Sequence, residues 1–422
     1  MHVLIISPSF VPEITPSAHL FLELGPRLIA RGHDVTILTG YPQYNVENLG
    51  AARHRSRRYE IVEGMRVVRG WRPVWPRHIP FVRGADYLLS AGVLGAKALG
   101  VERADVSLVY SPPLPLALVA QALRTVRHVP YILYVQDLFP QSVIDLGLLR
   151  NRVAIGFLRW MERQAYRAAD CVAVHSEGNR RHVLAKAEAN GAADVRVIPN
   201  WVDTKFIVPG PRDNEFRIVH GLGDDFVVSF AGTMGYSQDL DTVLRAAAIV
   251  QHTVPTATFL LIGEGVEKER IQRAAKTMVL DNVRFIPMLP RADYPALLRA
   301  SDVCLVPLRR CVTTPVVPSK VYSIMAAGRP VVASAGRDGD LPRIVEDAGC
   351  GIAVEPERPS ALAGAIIRLY QDPAGRERFG AKGREVAESR YSVDVCTTMY
   401  EELFSEMVAR ASQRAKRRGD HV

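Results

Sequence analysis

The stretch Val317–Ser334, "VPSKVYSIMAAGRPVVAS", places a lysine and two serines where a helix is expected to begin. Ser319 suits an N-cap and Pro318 the turn before it; the helix is expected to stop at Gly328, ahead of a short buried strand from Pro330 to Ala333. Ser319, Lys320 and Ser323 are spaced so that their side chains share one face of the first turn. A helix start offers free backbone N–H groups and a partial positive charge. With Lys320 added, this chemistry suits an anion that also carries hydroxyls, such as a nucleotide or a sugar phosphate. The competing reading is a capped helix with a solvated lysine.

Other polar residues follow strand-like runs. "SPSFVPEITPSAH" follows the first of them without a G-x-G-x-x-G, which argues against a nicotinamide-dinucleotide site there. Ser17 and Ala18 are small enough to let a ligand approach a helix start, and Glu13 is either an acceptor for a sugar hydroxyl or a solvated loop carboxylate. In "VQDLFP", Gln136 and Asp137 close another strand; Asp137 could orient an acceptor hydroxyl, take its proton, or simply cap a turn. In "SFAGTMGYSQDLDTV", Gly232 and Gly235 permit close backbone approach, and Asp239 and Asp241 open a helix. The D-x-D pattern resembles a metal site, but N-capping is the commoner reason for aspartate there. Glu264 in "LIGEG" ends a further strand. G-x-S-x-G, P-loop and H-E-x-x-H patterns are absent, so the commoner hydrolase, kinase and zinc-protease readings fall away.

These residues need a scaffold, and the 422-residue length calls for two domains, since single cores stop growing near ~250–300 residues. Strand-length apolar runs alternate with helical stretches throughout, which predicts two doubly wound parallel α/β sheets in tandem with ligands at the strand carboxyl ends and in an inter-domain cleft. The proline-, glycine- and charge-rich segment after residue 201 sets the expected division at 1–203 and 204–390, with a last helix near 391–412 returning to the first domain. Five scattered cysteines without CxxC pairs argue against disulfides or zinc and suit a reducing cytoplasm. The start "MHVLIISPSF" lacks the pattern of a signal peptide, and "YLLSAGVLGAKALGV" is cut by Lys97 and too short to span a bilayer. The formal charge of +9 concentrates in residues 53–83, where nine arginines accompany Trp71 and Trp75, and in the tail "RASQRAKRRG". Such composition suits an anionic membrane surface or a solvated basic loop; nucleic acid is not expected, because no recognition motif accompanies it.

Taken in order, "PSFVPEITPSAHLFLELGPRLIARGHDVTILTGYPQYN", "YVQDLFPQSV", "VIPNWVD", "FAGTMGYSQDLDTVLRAA", "IGEG" and "PSKVYSIMAAGRPVVAS" resemble a GT-B glycosyltransferase of glycosyltransferase family 4. The resemblance covers nearly the whole chain and is strongest to the subset that builds capsule, O-antigen and colanic-acid-type polysaccharides. It implies transfer of a sugar from a nucleotide-sugar, with uridine diphosphate the expected carrier, to a lipid-linked or saccharide hydroxyl. It further implies retention of configuration and no metal or other cofactor. The donor would lie on the second domain, at Gly232, Thr233, Met234, Gly235, Glu264, Met288, Ser319, Lys320 and Ser323. The acceptor would lie on the first, at Glu13, Ser17, Ala18, Gln136 and Asp137, with Asp137 and Lys320 the expected catalytic groups. The implied location is the inner face of the cytoplasmic membrane.

Three departures from the family pattern stand out. Thr233 and Gln238 occupy places where many members carry an arginine and a lysine, Pro315 and Ser323 replace a pair of glutamates, and Gln136 replaces a histidine. One account is that Lys320, the helix start at Ser319 and the Gly232–Gly235 backbone hold the diphosphate instead. The alternatives left open are an inactive scaffold and a sugar-nucleotide 2-epimerase of the same architecture.

Overall fold

The computed structural model describes residues 1–42, 58–71, 80–187 and 194–419. The chain divides into two compact units, one of Met1–Gln141, Arg150–Pro199 and the chain from Val393, the other of Ser142–Leu149 and Asn200–Ser392. The short segment 142–149 joins the second unit because Asp145 holds it there: its Oδ2 accepts from the Thr313 hydroxyl at 2.7 Å and from the Thr314 N–H at 3.0 Å.

In the first unit the strands are β1 (His2–Ile6), β2 (Asp34–Gly40), β3 (Tyr59–Val62), β4 (Met65–Gly70), β5 (Val106–Ser111), β6 (Tyr131–Val135), β7 (Cys171–Val174) and β8 (Val195–Val197). Their order is β3-β4-β2-β1-β5-β6-β7-β8. β1, β5, β6 and β7 are buried along their whole length, as expected of strands covered on both faces. The order reverses direction between β1 and β5, so the crevice at their carboxyl ends is where ligands bind in open sheets of this kind.

The sheet is not wholly parallel. β3 runs antiparallel to β4, joined through Glu63 and Gly64 at φ +48° and +80°, the paired positive φ values of a tight hairpin turn. This hairpin lies inside the arginine-rich region 53–83, the rest of which falls largely outside the described residues. Arg69 is fully buried rather than solvated. It donates to Glu60 at 2.7 Å and to the carbonyls of Gly40 and Val11, tying the hairpin to β2 and to the loop after β1. The basic tail is likewise partly engaged: it continues the helix Val393–Gly419, with Arg410 paired to Asp194 at 2.6 Å and Arg414 to Asp170 at 2.8 Å. That helix closes the first unit through Arg27–Asp394, Arg31–Glu401 and the edge-on rings of Tyr134 and Tyr400.

The second unit holds β9 (Phe226–Ala231), β10 (Ala257–Ile262), β11 (Val283–Ile286), β12 (Val303–Pro307), β13 (Val331–Ser334) and β14 (Gly351–Val354), all parallel, in the order β11-β10-β9-β12-β13-β14. Val228, Phe230, Leu261, Val303 and Leu305 form part of its core against helices Leu240–Thr253 and Pro359–Gln371. Its order reverses between β9 and β12.

Removing Arg69 would break its buried ion pair with Glu60 and take a donor from the Gly40 and Val11 carbonyls. Arg69→Leu is therefore expected to cost ~3–5 kcal/mol in the urea transition that reports the first unit, and adding Glu60→Leu should return part of the loss. Equal stability of parent and single variant would contradict the role given to this pair.

Candidate active site

The loop after β9 lies at the reversal point of the second sheet, and its geometry demands glycine. Gly232 has φ +138°, and a Cβ there would stand 3.0 Å from the Lys320 Nζ. The loop after β10 stacks directly on it: a Cβ on Gly263 would come within 1.9 Å of the Gly232 carbonyl oxygen. Backbone bonds stitch the two loops, Gly232 N–H to Ile262 at 2.9 Å and Met234 N–H to Glu264 at 2.8 Å.

Lys320 opens the helix Lys320–Ala326 on the far side of β12. Its ammonium rests over the Phe230 ring, 3.9 Å from the centroid, and it has no ion-pair partner among the described residues. The side chain is half-buried, so water still reaches the site, yet desolvation by the surrounding protein lowers its pKa to about 7. A cation held in this way gains only part of its lost hydration from a ring face. An arriving anion would supply the rest.

In the first unit, the predicted residues separate into buried and accessible groups. Ser17 and Ala18 are buried; the Ser17 hydroxyl lies 2.9 Å from that of Ser9, and the Ala18 N–H donates to the Thr15 cap at 3.3 Å. Their side chains build the loop from within. Glu13 is buried as well, which removes the reading as a solvated carboxylate. Gln136 and Asp137 follow β6, and the Gln136 carbonyl lies 3.1 Å from His175 Nε2, whose ring also meets Asn179 at 2.8 Å. Asp137 is exposed; nearby protein pushes its carboxyl upward, but direct solvent contact screens that push.

Residues 18–201 match the family described as glycosyl transferase 4-like domain, and residues 212–386 match glycosyl transferases group 1. The chain is a GT-B glycosyltransferase of family 4 type. It is similar to the probable glycosyltransferase WbjE of Pseudomonas aeruginosa, 28% identical over 74% of this chain and 77% of that protein. It is also 28% identical to the putative colanic acid biosynthesis glycosyl transferase WcaI of Escherichia coli K12, over 92% of this chain and 96% of that one. Both halves share their fold with Anabaena Alr3699/HepE, solved in complex with UDP-glucose, at a TM-score of 0.68 and 18% identity over 96% of this chain and 100% of that one. The protein is thus related to enzymes of polysaccharide biosynthesis.

Against that background, the glycosyltransferase keeps some of the predicted donor residues in place and withdraws others. Thr233 is exposed and Gly235 partly so, beside Gly232. Met234 is not available: its side chain is fully buried in the core and its N–H is taken by Glu264. The Glu264 carboxylate is paired with Lys268 at 2.5 Å. Met288 is exposed just past the carboxyl end of β11. Ser319 is exposed at the predicted cap position but makes no capping bond, because its φ of −57° and ψ of −21° are helical and not the extended values a cap needs. The Ser323 hydroxyl hydrogen-bonds the phenol of Tyr294, a residue that the sequence reading missed. Asp239 caps its helix through the Thr242 N–H at 3.3 Å and also accepts from Glu357 N–H; Asp241 pairs with Arg270 and Arg309. Gln238, in place of a lysine, leaves its buried Oε1 without a partner among the described residues.

A lysine that titrates near 7 when folded and at 10.5 when unfolded binds fewer protons in the native state between those values. Its penalty is therefore full below pH 7 and fades as pH rises toward 10.5. Lys320→Met should raise the ligand-free melting temperature at pH 6 and change it far less at pH 10. An equal effect at both would contradict a depressed ammonium.

Proposed function

We propose that this glycosyltransferase moves a sugar from a uridine-diphosphate-linked donor to a hydroxyl of a lipid-linked or saccharide acceptor in bacterial surface-polysaccharide assembly, with retention of configuration and without a metal. The observation that carries this is the unpaired Lys320 ammonium beside the Gly232 turn. When the bond from the anomeric carbon to the diphosphate breaks, negative charge grows on the leaving oxygen. A preorganised cation next to open backbone can stabilise that charge, and the charge restores the lysine's preference for its protonated form.

Metal independence is supported by the engagement of Asp239 and Asp241, whose carboxylates are committed to a helix cap and to two arginines. A uridine carrier is supported by the UDP-glucose bound to the HepE relative in fold. Met288, at the carboxyl end of β11, would lie near the base. Asp137 is the acceptor-side candidate, because it is the accessible carboxylate of the first unit's predicted set. The surplus of basic residues supports work at the cytoplasmic face of the membrane, where a lipid-linked acceptor would lie. No helix among the described residues is long and apolar enough to cross it.

The test is thermal stabilisation of the purified chain by nucleoside diphosphates and nucleotide-sugars, followed by a transfer assay. A uridine ligand at 100 times its dissociation constant should add ~2.7 kcal/mol. Lys320→Ala should lose that gain and the turnover together. Asp137→Asn should keep the gain and lower kcat about 10²–10⁴-fold. Stabilisation by none of the ligands would overturn the reading, and an epimerised nucleotide-sugar with no acceptor product would identify an epimerase instead.

Proton uptake provides a separate check. A nucleotide-sugar diphosphate does not itself titrate near neutrality, so its affinity should fall as pH rises above about 7, the free lysine's value. Calorimetry in buffers of different ionisation heat should show uptake of a proton on binding at pH 8. Binding with no proton exchange would remove Lys320 from the phosphate.

A further inference from the structure

The helix Arg152–Ala168 in the first unit buries one side and leaves the other with an unusual composition. Val153, Phe157 and Trp160 are 82%, 51% and 50% exposed. Spaced at i, i+4 and i+7, they form one stripe along the helix. The rings of Phe157 and Trp160 stack on each other at 5.9 Å with 29° between their planes, so the stripe is a contiguous apolar ridge and not three scattered contacts. Isolated exposed hydrophobes are ordinary, but a stacked aromatic ridge is not.

Four arginines, Arg152, Arg159, Arg163 and Arg167, run along one flank of that ridge at spacings of seven, four and four. Arg152, Arg159 and Arg167 are exposed and Arg163 partly so. Among the described residues none of the four has an ion-pair partner; Arg159 meets only the amide oxygen of Gln141, at 3.2 Å. The helix carries one acidic residue, Glu162, which is fully buried on the opposite side and spent on Lys186 at 2.8 Å and Tyr166 at 3.0 Å. The outward face is therefore apolar and cationic, with no carboxylate of its own.

We propose that this face is the surface by which the protein docks on an anionic membrane, the Val153–Phe157–Trp160 ridge entering the headgroup layer and the arginine flank meeting lipid phosphates. Amphipathic rings suit the boundary between headgroups and acyl chains, and guanidinium groups pair with phosphate in bidentate geometry. A second copy of this chain fits the face less well. A twofold contact would set four arginines against the same four arginines. The inference rests on the reading that the enzyme works at a membrane, and it moves the docking surface away from residues 53–83.

The experiment is flotation of the full chain with vesicles of phosphatidylcholine alone or mixed with phosphatidylglycerol, at low and high salt. Three variants join the parent: Phe157→Ser with Trp160→Ser; Arg152, Arg159, Arg163 and Arg167 all →Gln; and Val153→Glu. All three alter exposed or partly exposed positions outside the active site, and stabilisation by a uridine nucleotide and far-UV circular dichroism check their folding. The parent should float with the anionic vesicles and lose binding as salt rises, and each variant should bind at least tenfold more weakly. A parent that floats alongside equally bound variants would overturn the docking surface while leaving the membrane reading intact. A parent that never floats would overturn both. A parent dimer that the variants turn into monomers, without flotation, would assign the face to a second copy and overturn the proposal.

Discussion

The Lys320 ammonium lies on the face of Phe230 with no carboxylate paired to it among the described residues, and several acids in the loops of the second unit have partners of their own. Glu264 is held by Lys268, Asp241 and Glu267 by Arg270 and Arg309, and Asp239 by backbone N–H groups. The cost is an under-solvated cation, visible in a pKa drawn down to about 7. The gain, on the proposed reading, would be a cation ready to meet an incoming anion.

That arrangement depends on backbone more than on side chains. The Gly263 loop lies so close to the Gly232 carbonyl that any side chain would collide, and a Cβ on Gly232 would stand 3.0 Å from the end of the lysine. The parallel order β10-β9-β12 brings the Gly232 loop and the segment leading to Lys320 to one edge of the sheet, although some 90 residues of sequence separate them, a distance a doubly wound topology closes routinely. The first unit repeats the logic at the edge of β1, β5 and β6. There the loop after β1 is fixed from below by Arg69 and from within by Ser9, Thr15 and Ser17. Gln136 is steadied by His175, which immediately follows β7 and could have been noticed as a histidine at a strand end.

Much of this was legible along the chain. The strand–helix alternation, the helix ending near Gly328, the glycines after β9 and the lysine after β12 follow from local periodicity and turn chemistry, and each appears where those rules place it. Other features were out of reach. The Glu63–Gly64 hairpin uses a residue pair that lacks the usual turn signature, so the arginine-rich stretch read as a basic insert while half of its described part pairs with the sheet. Met234 reads as a loop residue because its burial depends on a core assembled from distant strands. Ser319 has the right side chain for a cap and the wrong backbone angles.

The sequence by itself determined the two-sheet α/β architecture, the family and the candidate positions, because these rest on spacing between near neighbours. Which candidates remain available was decided only by tertiary structure. Lys320 meets Phe230 and Gly232 with no acid paired to it among the described residues, whereas Ser323 meets Tyr294 and the half-exposed Glu264 meets Lys268. The availability of a polar group depends on what meets it in space, and those partners come from other strands and helices as well as from the next turn.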